Sequence, residues 1–230
     1  MEDSHHNHQR GRWPLLIPLL AFVYAPFVGG ELLTDDFVHF QRLTSQTGIA
    51  EVVSQPDAFK FYRPVTQASL AIELALHGDR PAFFRAVNVG LHAAVLTMAL
   101  IVARLILRDE ISAALATLAF ALTPKAPPIA VLWISGRAEL LMALFSFAAV
   151  AAWIVWVRHG GMQWLVATAV AYLAAAGSKE TAFVLPLLLV FIPAEHTVTK
   201  ARFGAIAAIL ALGGALLVWR SHVGALTPMS

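Results

Sequence analysis

The sequence predicts an all-α polytopic membrane helix bundle of about seven spans, with a long first extracytoplasmic loop that carries an interfacial helix. Three observations predict it. Of 230 residues, 59% are hydrophobic and 13% charged, against about 25% charged in soluble domains, and the mean hydropathy is +0.71. The apolar residues gather into runs approaching the roughly 20 residues that a bilayer-crossing helix needs. Ala and Leu dominate those runs, which reads as helices rather than the alternating strands of an outer-membrane barrel.

Residues 1–12 form a polar tail with His5, His6 and His8. Such a tract can bind metal, but a solvated cytoplasmic tail is the simpler expectation. Residues 13–230 form the transmembrane module. Span one is Trp13 to Gly30, bent by Pro14, Pro18 and Pro26. It is long for a signal-peptide core and lacks an Ala-x-Ala site, so it reads as uncleaved. Residues 31–81 are the extracytoplasmic loop. Within it Pro64 opens a segment, Val65 to Leu76, whose apolar length is too short to span, so an interfacial or re-entrant helix is expected. Span two runs from about Ala82 to Leu107 and span three from Ile111 to Leu122. The Pro-rich connection Thr123 to Pro128 cannot be helical throughout. Span four is Ile134 to Val157, and His159-Gly160-Gly161 is a turn. Spans five, six and seven are Met162 to Ala176, Thr181 to Ile192 and Phe203 to Trp219. Short loops make consecutive helices antiparallel neighbours.

The absence of cysteine excludes disulfides and thiolate chemistry, and a net charge of +2 gives no reason to expect a nucleic-acid partner. Arg10 and Arg12 before span one put the expected N-terminus in the cytoplasm. Cytoplasmic connections then hold Arg104, Arg108, Arg158, Lys200 and Arg202. The opposite side holds Arg42, Lys60, Arg63, Arg80, Arg85, Lys125, Arg137, Lys179 and Arg220. Basic residues are therefore not depleted outside, and the long loop explains only some of them.

With this parity, polar groups converge on the outer face. Asp35 and Asp36 follow span one, Arg63 precedes the interfacial helix, and Arg85, Asn88 and His92 form one stripe on span two. Gly136-Arg137-Ala138-Glu139 opens span four, and Ser178-Lys179-Glu180 joins spans five and six. Carboxylates beside guanidinium and ammonium groups suit an anionic, phosphate-bearing substrate. Each group also has a purely structural reading. Asp35-Asp36 can cap a loop helix, Arg137 with Glu139 and Lys179 with Glu180 can be ion pairs, and His92 can be a packed core histidine.

Leu33-Thr34-Asp35-Asp36-Phe37-Val38-His39-Phe40 resembles the acidic first-loop motif of membrane glycosyltransferases with the GT-C fold. The similarity is greatest to protein O-mannosyltransferases and to transmembrane–tetratricopeptide mannosyltransferases with their bacterial relatives. Four further stretches fit in order: Phe61-Tyr62-Arg63-Pro64-Val65-Thr66, Arg85-Ala86-Val87-Asn88-Val89-Gly90-Leu91-His92, Trp133-Ile134-Ser135-Gly136-Arg137-Ala138-Glu139-Leu140-Leu141 and Gly177-Ser178-Lys179-Glu180-Thr181. The resemblance covers Asp35 to about Pro186. It implies transfer of a sugar from a polyprenyl-phosphate donor to a hydroxyl acceptor at the extracytoplasmic face. By motif position Asp35 is the general base and Asp36 its companion, while Arg63, Arg85, Arg137 and Lys179 hold the donor phosphate. His39, Asn88, His92, Glu139 and Glu180 support them. No metal ligand set is expected and no cofactor is called for, with a divalent metal left open.

Family members usually have more spans and often a soluble C-terminal domain. The chain is therefore expected to be a minimal member, a truncated product or a module that needs other membrane subunits. Two competing functions stand beside the enzyme: a non-catalytic membrane subunit on the same module, and a lipid-carrier or small-molecule transporter. The second would favour a repeated half, and no repeat is obvious.

Overall fold

A computed structural model describes residues 13–33, 36–45, 48–57, 59–107, 109–123, 126–193 and 199–225. Asp35 and the polar tail 1–12 lie outside the described residues. Among the described residues all regular structure is helical.

The chain opens with a 3-10 helix, Trp13–Phe27, with Pro18 and Pro26 inside it. Each proline removes a backbone donor, which works against a continuous α-helical ladder. The tighter winding also lengthens the segment. Its 15 residues at about 2.0 Å rise extend roughly 30 Å, close to a hydrocarbon core.

The loop is more structured than the sequence alone indicates. Helices α1 (Asp36–Ser45) and α2 (Ile49–Ser54) precede α3 (Pro64–His77). Helix α3 matches the expected segment, with Pro64 in its first turn. Gly78 ends it at φ 69° and donates its N–H to the Leu74 carbonyl, a left-handed stop that glycine adopts without Cβ strain. Phe40, Leu43, Val52, Leu70, Phe84 and Ile134 form the apolar cluster that seats these helices on the bundle.

The bundle comprises α4 (Pro81–Leu107), α5 (Glu110–Ala121), α6 (Ala126–Leu132), a 3-10 turn Ile134–Gly136, α7 (Arg137–His159), α8 (Met162–Ser178), a 3-10 turn Glu180–Val184, α9 (Leu185–Leu189) and α10 (Thr199–His222). Helices α7 and α8 pack along each other most extensively, and α4 packs against both α7 and the first helix. The α7–α8 turn is made by Gly160 and Gly161, both at positive φ. Trp153, Trp156, Tyr172, Leu189, Ile206 and Ile209 fill the core shared by α7 to α10.

Among the described residues three helices are long and apolar enough to cross a membrane: Pro81–Leu107, Ile134–His159 and Lys200–His222. The other expected spans correspond to shorter apolar helices, Leu16–Phe27, Glu110–Ala121, Met162–Ser178 and Glu180–Leu189. Pro186 sits where expected span six changes from 3-10 to α winding. Exposed Leu115, Val170, Leu187, Phe191 and Val218 line the outside of the helices, an apolar surface consistent with a lipid surround.

Candidate functional site

The N-terminal ends of α3, α4 and α7 meet the C-terminal ends of α8 and α10, and Asp36, Arg63, Arg85, Asn88, Arg137, Glu139, Lys179 and Glu180 gather there. They fall into a sealed group and an accessible one.

The sealed group centres on Arg137, the first residue of α7, which is fully buried. Its Nε donates to Asn88 Oδ1 (2.8 Å) and its Nη2 to the Phe84 carbonyl (2.7 Å). Its Nη1 reaches Ser69 Oγ (3.4 Å) and pairs with the Glu73 carboxylate. Asn88 in turn donates to the carbonyls of Val131 (3.3 Å) and Trp133 (3.1 Å). Arg85, also buried, donates to the carbonyls of Leu132 (2.9 Å), Val28 (3.3 Å), Gly30 and Glu31. It thus closes the end of the first helix against α6. A Cβ on Gly136 would lie 2.7 Å from the Ala130 carbonyl oxygen, so only glycine fits where α6 turns into α7.

Asp36 opens α1 and is likewise buried. One carboxylate oxygen accepts from Ser135 N (3.0 Å) and Ser135 Oγ (2.8 Å), the other from Leu33 N (3.2 Å). It stands in the first turn of α1, and its carboxylate ties the loop to the 3-10 turn that leads into α7.

The accessible group lines a pocket of about 300 Å³ walled by His39, Phe61, Arg63, Trp133, Glu139 and Lys179 among others. Arg63 is held bidentately by Glu180 (Nε to both oxygens at 3.2 Å, Nη2 at 2.8 Å) and lies over the Phe61 ring at 4.1 Å. Arg220 of α10 braces the same carboxylate at 3.3 Å and donates to the Tyr62 and Ala176 carbonyls. Lys179 pairs with Glu139, and both side chains stay partly exposed, at 24% and 43%. Burial pushes the Lys179 ammonium below the usual lysine value. The nearby Arg63 charge adds to this, and Glu180 opposes it. The His39 ring lies 5.5 Å from that of Phe59, tilted at 58° to it. The indole N–H of Trp133 is buried with no acceptor among the described residues.

The ion pairs differ from those suggested by adjacency: Arg137 takes Glu73 rather than Glu139, and Lys179 takes Glu139 rather than Glu180. Residues two apart on a helix do not face each other. Lys179 is extended (φ −155°, ψ 146°), which turns its side chain away from its neighbour's.

A second pocket of about 550 Å³ is almost wholly apolar, lined by Val95, Phe120, Ala130, Leu140 and Met142. His92 lies in its wall, buried and edge-on to Tyr24 at 5.9 Å, in line with a packed histidine. Ile129 and Glu139 line both pockets.

Sequence reasoning gave no site role to Glu73, Ser135 or Arg220, although it counted Arg220 among the outer basic residues and included Ser135 in a motif stretch. An acid inside the apolar run Val65 to Leu76 was the available signal for Glu73, and an arginine on the outer side of the last span was that for Arg220. Among the described residues no group of three or more His, Asp or Glu is placed to hold a metal ion. No family model matches the chain, nor does any curated protein or solved structure.

Proposed function

We propose that the chain is a seven-span GT-C-like module that transfers a sugar from a polyprenyl-phosphate donor to a hydroxyl acceptor, with its N-terminus in the cytoplasm of a bacterial inner membrane and its site on the outer face. The observation that carries this reading is the pair of adjoining pockets. One offers Arg63 and Lys179 to an anion and to sugar hydroxyls; the other offers an apolar wall to a prenyl chain. An amphipathic lipid-linked sugar has these two chemistries joined end to end.

In the reaction, the acceptor oxygen bonds to the anomeric carbon as that carbon's bond to phosphate oxygen breaks. The acceptor proton passes to a carboxylate, and the lipid phosphate leaves with the bonding electrons. Lys179, with Arg63 beside it, stabilises the charge that develops on that phosphate. Arg137 and Arg85, whose donors are engaged inside the protein, hold the frame. Asp35 is the general base, next in the chain to Asp36, whose carboxylate is anchored on Ser135.

Removing a general base costs about 10² to 10⁴ in rate. Transfer from a polyprenyl-phosphate sugar to a hydroxyl acceptor, measured in nanodiscs, should fall by that factor in Asp35→Asn. Wild-type turnover in that variant would remove Asp35 from the role. A second reading, a non-catalytic membrane subunit, is favoured by one observation. The site carboxylates Asp36, Glu139 and Glu180 are each already engaged by Ser135, Lys179 or arginine. That reading predicts no turnover by wild type with any donor, and stable co-purification with a larger complex.

A further inference from the structure

Glu139 stands where the two pockets meet, and its carboxylate holds Lys179, the cation that faces the polar pocket. Arg63 lines the same pocket, with its Nε and Nη2 in the bidentate grip of Glu180 that Arg220 braces. Among the described residues the carboxylate paired with Lys179 is that of Glu139, which belongs to the pocket wall. A phosphate oxygen and a carboxylate oxygen compete for the same ammonium protons, since both form charge-assisted hydrogen bonds of one geometry. A carboxylate left beside a bound phosphate would also repel it.

We propose that the Glu139 carboxylate occupies the place on Lys179 that an amphipathic phosphate ester takes when it binds, so that the ligand must displace Glu139 from the wall between the polar and the apolar pocket. The inference rests on the phosphate-lipid reading of the site and adds a self-competing anion to it. Its consequence has an unusual sign. A residue that merely supports the ligand weakens binding when altered, whereas removing a competitor strengthens it. The pair is partly exposed, so the gain is modest, about two- to five-fold in affinity. Added salt screens both partners and narrows it.

The test titrates farnesyl phosphate, farnesol and inorganic phosphate into the purified full-length chain in detergent. The variants are Glu139→Gln, Glu139→Ala and Lys179→Gln, each checked for an unchanged unfolding midpoint. Both Glu139 variants should bind farnesyl phosphate two- to five-fold tighter than wild type, with farnesol unaffected, and Lys179→Gln should bind it more weakly. Equal or weaker farnesyl phosphate binding in both Glu139 variants overturns the proposal, as does inorganic phosphate binding more tightly than farnesyl phosphate. If wild-type binding is below detection, its appearance in Glu139→Gln supports the competition and its absence there overturns it. Sugar transfer is a separate readout. Tighter binding without wild-type turnover keeps the displaced carboxylate and moves the function to a non-catalytic subunit.

Discussion

Arg137–Glu73 and Lys179–Glu139 are both cation–carboxylate pairs that involve the first turn of α7, yet their side chains differ in exposure from 0% and 6% to 24% and 43%. The buried pair sits in a network with Asn88, Ser69 and the Phe84 carbonyl, in which Glu73 Oε1 alone has no hydrogen-bond partner among the described residues. The exposed pair borders a pocket. A charge removed from water needs a full set of partners, and losing one leaves the others uncompensated. A charge still in contact with water can exchange partners at little cost. The difference teaches that, of the cations on this face, the ones with the most partners are the least available to a ligand. On the proposed function, Arg137 and Arg85 set the geometry, and Lys179 and Arg63 are the cations left to meet a phosphate.

The largest expected effect breaks the sealed side. Arg137→Ala leaves the Glu73 carboxylate buried without its cation and should cost roughly 3–5 kcal/mol of stability, read as a lowered unfolding midpoint in detergent. Replacing Arg137 and Glu73 together by Met should recover most of that loss, because neither charge is then buried. A smaller effect is expected at the anchor. Asp36→Ala strips the acceptor from Ser135 N, Ser135 Oγ and Leu33 N and should cost about 1–3 kcal/mol. Proteolysis within the α1–α2 segment, measured against wild type, would report it. The smallest effect on folding belongs to the exposed side, where Lys179→Ala should change stability by less than about 1 kcal/mol.

Much of this arrangement was legible in the sequence, for physical reasons that can be named. Pro64 and Gly78 mark both ends of α3, and Gly160-Gly161 marks the α7–α8 turn, because proline and glycine restrict or free the backbone locally. The length of α4 follows from an uninterrupted apolar run. Helices α1 and α2 were not legible. They are short and mixed in polarity, and they are held by Phe40, Leu43 and Val52 packing on Leu70 and Phe84, contacts with no local signature. The convergence of polar groups at one end followed from counting spans. Their partners did not, since Arg137 meets Glu73 across 64 positions and Lys179 meets Glu139 across 40. Which arginine is sealed and which cation is open depends on burial, a property of the assembled bundle.

The measurement that tests this division most directly is farnesyl phosphate affinity in Lys179→Ala beside its unfolding midpoint, followed from neutral to alkaline pH. The account predicts a large loss of affinity with an almost unchanged midpoint. In wild type, affinity should decline as pH rises through a value below the ordinary lysine range, since only the protonated Lys179 amine attracts phosphate and burial lowers its proton affinity. Full farnesyl phosphate affinity in a folded Lys179→Ala protein would contradict the account and return the phosphate to the sealed arginines.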